Sequence, residues 1–242
     1  MRKTLTALGL AFGLAAMATA AAAQDRQQQR NMRNSYANPS AVIAAEIAFA
    51  QLAQEKGQWT AFAQTATVDA VMFVPQMVYA QTWLKGRANP PQAVKWQPHI
   101  VWSSCDGSLM VSHGAWQGAA GKTGYFTTIW QRQKDGKYKW VLDHGDELKE
   151  PLLAPEMLSG QIADCPDRGK RPAGPSPKVK DLKAKDLQPL DPRARSGKSL
   201  DGSLWWEVTV EPDGARNLSV SWRKDGAESP ALIESVEAAT NP

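Results

Sequence analysis

Residues 99–146, HIVWSSCDGSLMVSHGAWQGAAGKTGYFTTIWQRQKDGKYKWVLDHGD, decide how this chain folds. They read as strands separated by turns. Asp106-Gly107 and Asp135-Gly136 are hairpin signals, and the Gly-rich run 118–124 makes a looser turn between them. Val, Ile, Trp, Tyr and Thr flank turn residues that accept positive φ, which favours antiparallel pairing over helix. Strands with one apolar face need a cover, and it has to come from elsewhere in the chain.

The register follows from the turns. A three-residue loop around Lys134-Asp135-Gly136 sets Trp130 opposite Trp140, Arg132 opposite Tyr138 and Phe126 opposite His144. A two-residue loop would set Trp130 opposite Val141; the first choice unites the aromatic residues on one face. The same geometry at Asp106-Gly107 pairs Val101 with Val111 and His99 with His113.

Upstream lies the cover. Asn38 is an N-cap and Pro39 a first helical residue, followed by Val42, Ala45, Phe49 and Leu52 at helical spacing, until Gly57 stops the helix. Residues 59–65 read as a second short helix, 71–74 as a buried strand stopped by Pro75, and 79–84 as a third short helix. Helices followed by a run of strands predict an α+β fold, with the helices packed on one face of a curved antiparallel sheet. Residues 151–160 suit one or two helical turns.

The two ends differ from this centre. Residues 1–23 have a charged start at Arg2 and Lys3, an apolar run 5–17 and an A-x-A cleavage pattern ending at Ala23, so they read as a signal peptide. The product is then periplasmic or secreted, and the apolar run is too short for a membrane span. Residues 24–37 read as disordered, 38–160 as the main domain and 161–200 as a Pro/Lys-rich linker. Residues 201–237 read as a three-stranded meander, with Leu204, Trp206 and Val208 alternating against polar neighbours and turns at Asp213-Gly214 and Asp225-Gly226. So small a meander has to dock, with Trp206 and Trp222 as its anchors. Without Arg2 and Lys3 the formal charge falls from +4 to +2, which gives no electrostatic case for nucleic acid. Cys105 and Cys165 are the only cysteines, and in an oxidising compartment they pair.

The segments AFAQLAQEKGQWTAF, DAVMFVP and TTIWQRQKDGKYKWVLDHGD, in that order, resemble the nuclear transport factor 2-like superfamily. The similarity is to its SnoaL-like and ketosteroid isomerase-like bacterial branches, and within them to secreted uncharacterised members. The resemblance implies a cone: a curved sheet wrapped around helices that leaves an apolar pocket. It also implies a homodimer through the sheet. It carries no single activity, because this fold hosts isomerases, cyclases, dehydratases and plain binding modules.

Three kinds of site are then open. A metal centre would use His99 and His113, yet no carboxylate stands beside them at ligand spacing, so no metal or other cofactor is expected. Acid–base chemistry would use Asp143, His144 or Asp69, with Tyr79 or Tyr125 as donors. Asp143 and His144 point to opposite faces, so only one of them looks into the cavity. The third is binding of a small hydrophobic or aromatic molecule, without a defined reaction, by Trp59, Tyr79, Trp83, Trp102, Trp116 and Tyr125. The residues favour this third reading. A module whose pocket is filled by its own rings is the bland alternative. An inward carboxylate with donors separates an enzyme from a binding module.

Overall fold

The computed structural model describes residues 37–165 and 182–238. The expected signal peptide, residues 24–36 and the linker residues 166–181 lie outside them. Helix α1 (Pro39–Lys56) and α2 (Gln58–Thr65) come first, then strands β1 (Ala66–Phe73) and β2 (Met77–Tyr79) and the short helix α3 (Ala80–Leu84). The expected strand run forms β3 (Lys95–Ser103), β4 (Leu109–Gln117), β5 (Thr123–Arg132) and β6 (Tyr138–Leu148). Strand β7 (Ser159–Ile162) follows, and β8 (Ala194–Lys198), β9 (Leu204–Val210), β10 (Arg216–Lys224) and β11 (Ala227–Val236) close the chain. No described helix is long and apolar enough to cross a membrane.

Seven strands form one sheet in the order β2-β1-β6-β5-β4-β3-β7. Its centre is antiparallel as expected, while β1 runs parallel to β6 and β7 parallel to β3. Residues 151–158 form no helix; after them the chain adds a strand at the sheet edge instead. Pro151 and Pro155 interrupt the helical pattern there.

Bulges in β3 and β6 bend the sheet and, together with the geometry of the Asp106-Gly107 turn, overturn part of the expected register. Near the turn, Trp130 faces Trp140 and Arg132 faces Tyr138, as read from the sequence. Beyond Trp130 the register slips by one, so Ile129 faces Leu142 and Phe126 faces Gly145 rather than His144. On β3, Pro98 faces Gly114 but Ile100 faces His113, so His99 is the extra residue and does not pair with His113. Between this bulge and the turn, Val101 faces Ser112 rather than Val111, a register set by the turn itself, where the Ser104 amide donates to the Leu109 carbonyl. A bulge adds one residue to one strand and tightens its twist, and turn chemistry alone does not reveal it.

The helices pack on the inner face. Asn38 Oδ1 accepts from the Ser40 amide at 3.1 Å and caps α1. The buried stripe of α1 is Val42, Glu46, Phe49 and Ala53, turned slightly from the expected Val42, Ala45, Phe49 and Leu52. It meets Phe62 of α2 and Val101, Met110, Trp130 and Trp140 of the sheet.

The tail covers the outer face. It is a four-stranded sheet in the order β11-β10-β9-β8, one strand more than expected, because β8 comes from the presumed linker. Leu204, Trp206, Val208, Leu218, Val220 and Trp222 pack against Trp102, Val111, Ile129 and Leu142. Trp206 and Trp222 are both buried, as the alternation requires. The face through which the resemblance implies a dimer is therefore covered by this chain's own tail. Polar ties fix the two sheets together: Arg195 Nη2 meets Asp69 Oδ2 at 2.9 Å, and Arg216 Nη2 donates to the Gly145 carbonyl at 2.7 Å. Cys105 and Cys165 form a disulfide, with Cα atoms 5.0 Å apart.

Candidate functional site

The helices leave part of the inner face open. A cavity of about 280 Å³ lies there, walled by Phe49 of α1, Trp59 and Phe62 of α2, Trp96 of β3, Trp116 of β4 and Phe126 of β5. The pairing of β1 with β6 ends where Met72 faces Asp143, while β6 continues to Leu148. Phe73, Val74, Asp146 and Glu147 line that end of the cavity. Gly124 makes room for one wall: any Cβ there would collide with the Trp116 ring. Trp116 is fixed in that position by donating Nε1 to the Tyr125 carbonyl at 3.0 Å.

Asp143, Asp146 and Glu147 are the carboxylates lining this cavity, and Asp143 is the one held by a cross-strand hydroxyl. The bulge places it there, since Trp140 faces inward, Leu142 outward and Asp143 inward again. Thr128, its cross-strand partner, donates Oγ1 to Asp143 Oδ2 at 3.2 Å. Burial raises the Asp143 pKa to about 7; Glu46 adds to the rise and the Thr128 hydrogen bond opposes it. A carboxyl group poised near neutrality can give or take a proton at physiological pH.

Glu46 of α1 is a second inward carboxyl, and it is fully buried. Trp96 Nε1 donates to its Oε1 at 2.7 Å, while Ser112 Oγ and Trp130 Nε1 donate to its Oε2 at 2.5 and 3.0 Å. Burial raises its pKa, and these three donors pull the other way. The sequence reading missed Glu46. An acid standing at i, i+4 and i, i+3 from Val42 and Phe49, inside an apolar stripe, was the available signal.

His144 is on the other face, between the two sheets. Its Nδ1 lies 2.9 Å from Glu234 Oε2, and His113 Nδ1 lies 3.0 Å from Glu234 Oε1. Thr127 Oγ1 also donates to Glu234, at 2.6 Å. Burial alone would raise the Glu234 pKa; the hydrogen bonds from His113, His144 and Thr127 outweigh it and hold it at about 2. These partners tie β11 to β4, β5 and β6. His99, the bulge residue, is also buried; burial and the nearby His113 lower its pKa.

The other residues singled out from the sequence divide. Trp59 and Trp116 line the cavity; Tyr125 and His144 border it, but the Tyr125 ring stands with His113 and His144 on the tail side of the sheet, ring centres 5.9 and 6.3 Å apart. Burial raises the Tyr125 pKa, the charges of Glu234 and Asp146 add to it, and Arg216 opposes. Trp83 stands behind Trp59, ring centres 5.2 Å apart, and is covered by the Arg87 guanidinium at 3.5 Å. Trp102 faces the tail sheet, on the opposite side from the cavity. Tyr79 donates its hydroxyl to the Gln188 carbonyl at 2.9 Å. Asp69 is committed to Arg195. Among the described residues, no group of His, Cys, Asp and Glu is arranged to hold a metal ion.

No protein-family model matches this sequence, and no curated protein matches it. Solved structures match in part. A candidate ketosteroid isomerase from Parabacteroides distasonis is 16% identical with a TM-score of 0.38, over 47% of this chain and 96% of that one. A candidate aromatic ring hydroxylase from Novosphingobium aromaticivorans is 15% identical with a TM-score of 0.35, over 46% of this chain and 90% of that one. Matches of this strength transfer no family or activity to the chain; its α+β architecture rests on its own strands and helices.

Proposed function

We propose that the inner cavity binds a small apolar or aromatic molecule and that Asp143 exchanges a proton with it, an acid–base enzyme rather than a passive carrier. The observation that carries this reading is the position of Asp143: an inward carboxyl set among the aromatic walls of the cavity, with a hydroxyl donor from Thr128. An ionisable group inside an apolar cavity costs stability, and such a cost is commonly kept where chemistry needs it. The size of the cavity, about 280 Å³, is at the low end for ligand sites and suits a molecule of one or two rings. The resemblance of the sequence to the nuclear transport factor 2-like superfamily supports the reading at the level of fold. The leader-like residues 1–23 and the Cys105–Cys165 bond support a periplasmic or secreted site of action.

Native mass spectrometry of protein purified from its source tests the binding half, with a co-purified small molecule as the expected result. Incubating that molecule with the protein in D₂O tests the chemistry. Deuterium uptake catalysed by wild type and reduced at least about 100-fold in Asp143→Asn is expected for a general acid–base. Equal uptake with both proteins would reduce the cavity to a binding site.

A further inference from the structure

Asp143 does not stand alone on the inner face. Ser112 of β4, Thr128 of β5 and Asp143 of β6 are successive register partners, forming a polar row across an otherwise apolar surface. Glu46 caps one end of this row through Ser112 Oγ, and Asp143 closes the other through Thr128 Oγ1. Strands lie about 4.8 Å apart, so two steps of the sheet separate Ser112 from Asp143 by roughly 10 Å. Within a protein interior, two carboxylates at such a range still feel each other, and double ionisation is disfavoured.

The row is not a proton wire. The Ser112 hydroxyl is 3.3 Å from the Thr128 backbone carbonyl, which cannot pass a proton on. The two carboxyls are thus coupled by field rather than by transfer. Their surroundings differ in one decisive respect. Glu46 has three donors, and the two indole N–H groups among them can only donate. Among the described residues Asp143 has one donor, Thr128. Donors stabilise the anion, so the charge settles where they are most numerous.

We infer that Glu46 and Asp143 act as one carboxyl pair on the inner face, in which Glu46 carries the negative charge and leaves the proton on Asp143. This rests on the reading of Asp143 as the proton-exchanging group of the cavity, and it deepens that reading. The resting cavity then presents an acid, suited to a molecule with a basic oxygen such as a carbonyl or a leaving hydroxyl. Glu46 is a positioning residue in this scheme: it touches Trp96, a cavity wall, but does not itself line the cavity. Other charges near the cavity are Asp146 and Glu147 on β6, Glu147 being paired with Lys122 at 2.8 Å. His144, from the opposite face, is committed to Glu234, and neither α2 nor β1 adds a charge to the lining.

Side-chain carboxyl ¹³C NMR of the labelled, ligand-free protein tests the pair across pH 4 to 9. The resonances are assigned by their loss in Asp143→Asn and Glu46→Gln. In wild type, Glu46 is expected to be ionised at pH values where Asp143 is still protonated. In Glu46→Gln the Asp143 midpoint is expected to fall by at least about one pH unit, a tenfold loss of proton affinity. Ser112→Ala removes a single hydroxyl donor from Glu46 and covers the case where Glu46→Gln does not fold. It should raise the Glu46 midpoint and lower that of Asp143. An Asp143 midpoint unmoved in the folded variants, or a Glu46 that ionises after Asp143, would overturn the pair. Because no ligand enters this titration, its outcome is separate from proton exchange with a bound molecule. The pair could stand while equal deuterium uptake by Asp143→Asn sinks the proposed enzyme.

Discussion

Asp143 and His144 are adjacent, and strand alternation sends them to opposite faces. That much was legible in the sequence. Which of them faces the cavity was not, because it depends on one extra residue in β6 near Val141. Without the bulge, the aromatic pair Trp130–Trp140 would carry His144 inward and Asp143 out. Val141 and Leu142 are both apolar, so neither register leaves a polar residue visibly misplaced. The consequence can be measured as pH-dependent stability. The folded-state pKa of Asp143, about 7, lies above the ordinary carboxyl value. A raised pKa means that the native state binds a proton the unfolded chain has lost. Its stabilising contribution is therefore complete below about pH 4 and is lost as pH rises through about 7. Asp143→Asn removes that dependence. Chemical denaturation at pH 5 and pH 8 should show a smaller drop for the variant than for wild type. The two slopes should differ by at most about 1.4 kcal/mol for each pH step of one below neutrality, where only the folded chain keeps this proton.

Among elements, α1 and the tail strands show what periodicity reveals and what it omits. Alternation in β9 and β10 marked Trp206 and Trp222 as anchors, and both are buried against the main sheet. β8 was hidden, because the segment RSGK has no apolar alternation and reads as linker. It pairs because β9 offers it an edge, which is a tertiary reason. The tail is also held by Glu234, whose value from the sequence alone was that of one more strand acid. Glu234→Gln is expected to cost about 1–3 kcal/mol, since it weakens a buried cluster with His113, His144 and Thr127. The pH profile has the opposite sign to that of Asp143. A carboxyl held at about 2 contributes above its ordinary pKa of about 4.3 and loses that contribution as pH falls through about 2. Between those values the wild type should lose stability more steeply than the variant, read by urea denaturation at pH 5, 4 and 3. Parallel profiles would show that Glu234 is not the acid-sensitive tie.

At the level of the molecule, one curved sheet is a shared wall, with helices and a cavity on its inner side and a second sheet on its outer side. Cys105 at the β3–β4 turn and Cys165 after β7 clamp this arrangement, beside hydrogen bonds from the Cys105 amide to Ser203 Oγ and from the Asp106 amide to Asp201 Oδ2. The sequence separation of 60 corresponds to a chain-entropy contribution of roughly 4 kcal/mol, an upper figure. Replacing both cysteines with serine should lower the stability by about 2–4 kcal/mol in a calorimetric scan; an unchanged Tm would show that the polar ties suffice. The pairing could be read from cysteine count and leader alone, whereas the tail sheet over the outer face could not be read from the resemblance, which implies a dimer there. The central claim is that Asp143 titrates inside a ligand cavity, and fluorescence titration with 2-naphthol from pH 5 to pH 8 tests it most directly. Wild type should bind several-fold more tightly as pH rises through about 7, because a naphthol hydroxyl bonds more strongly to a carboxylate than to its acid. Asp143→Asn should bind with no such rise, and Trp59→Ala should bind weakly throughout. A pH profile in Asp143→Asn identical to that of wild type, or no binding by the wild type at all, would contradict the account.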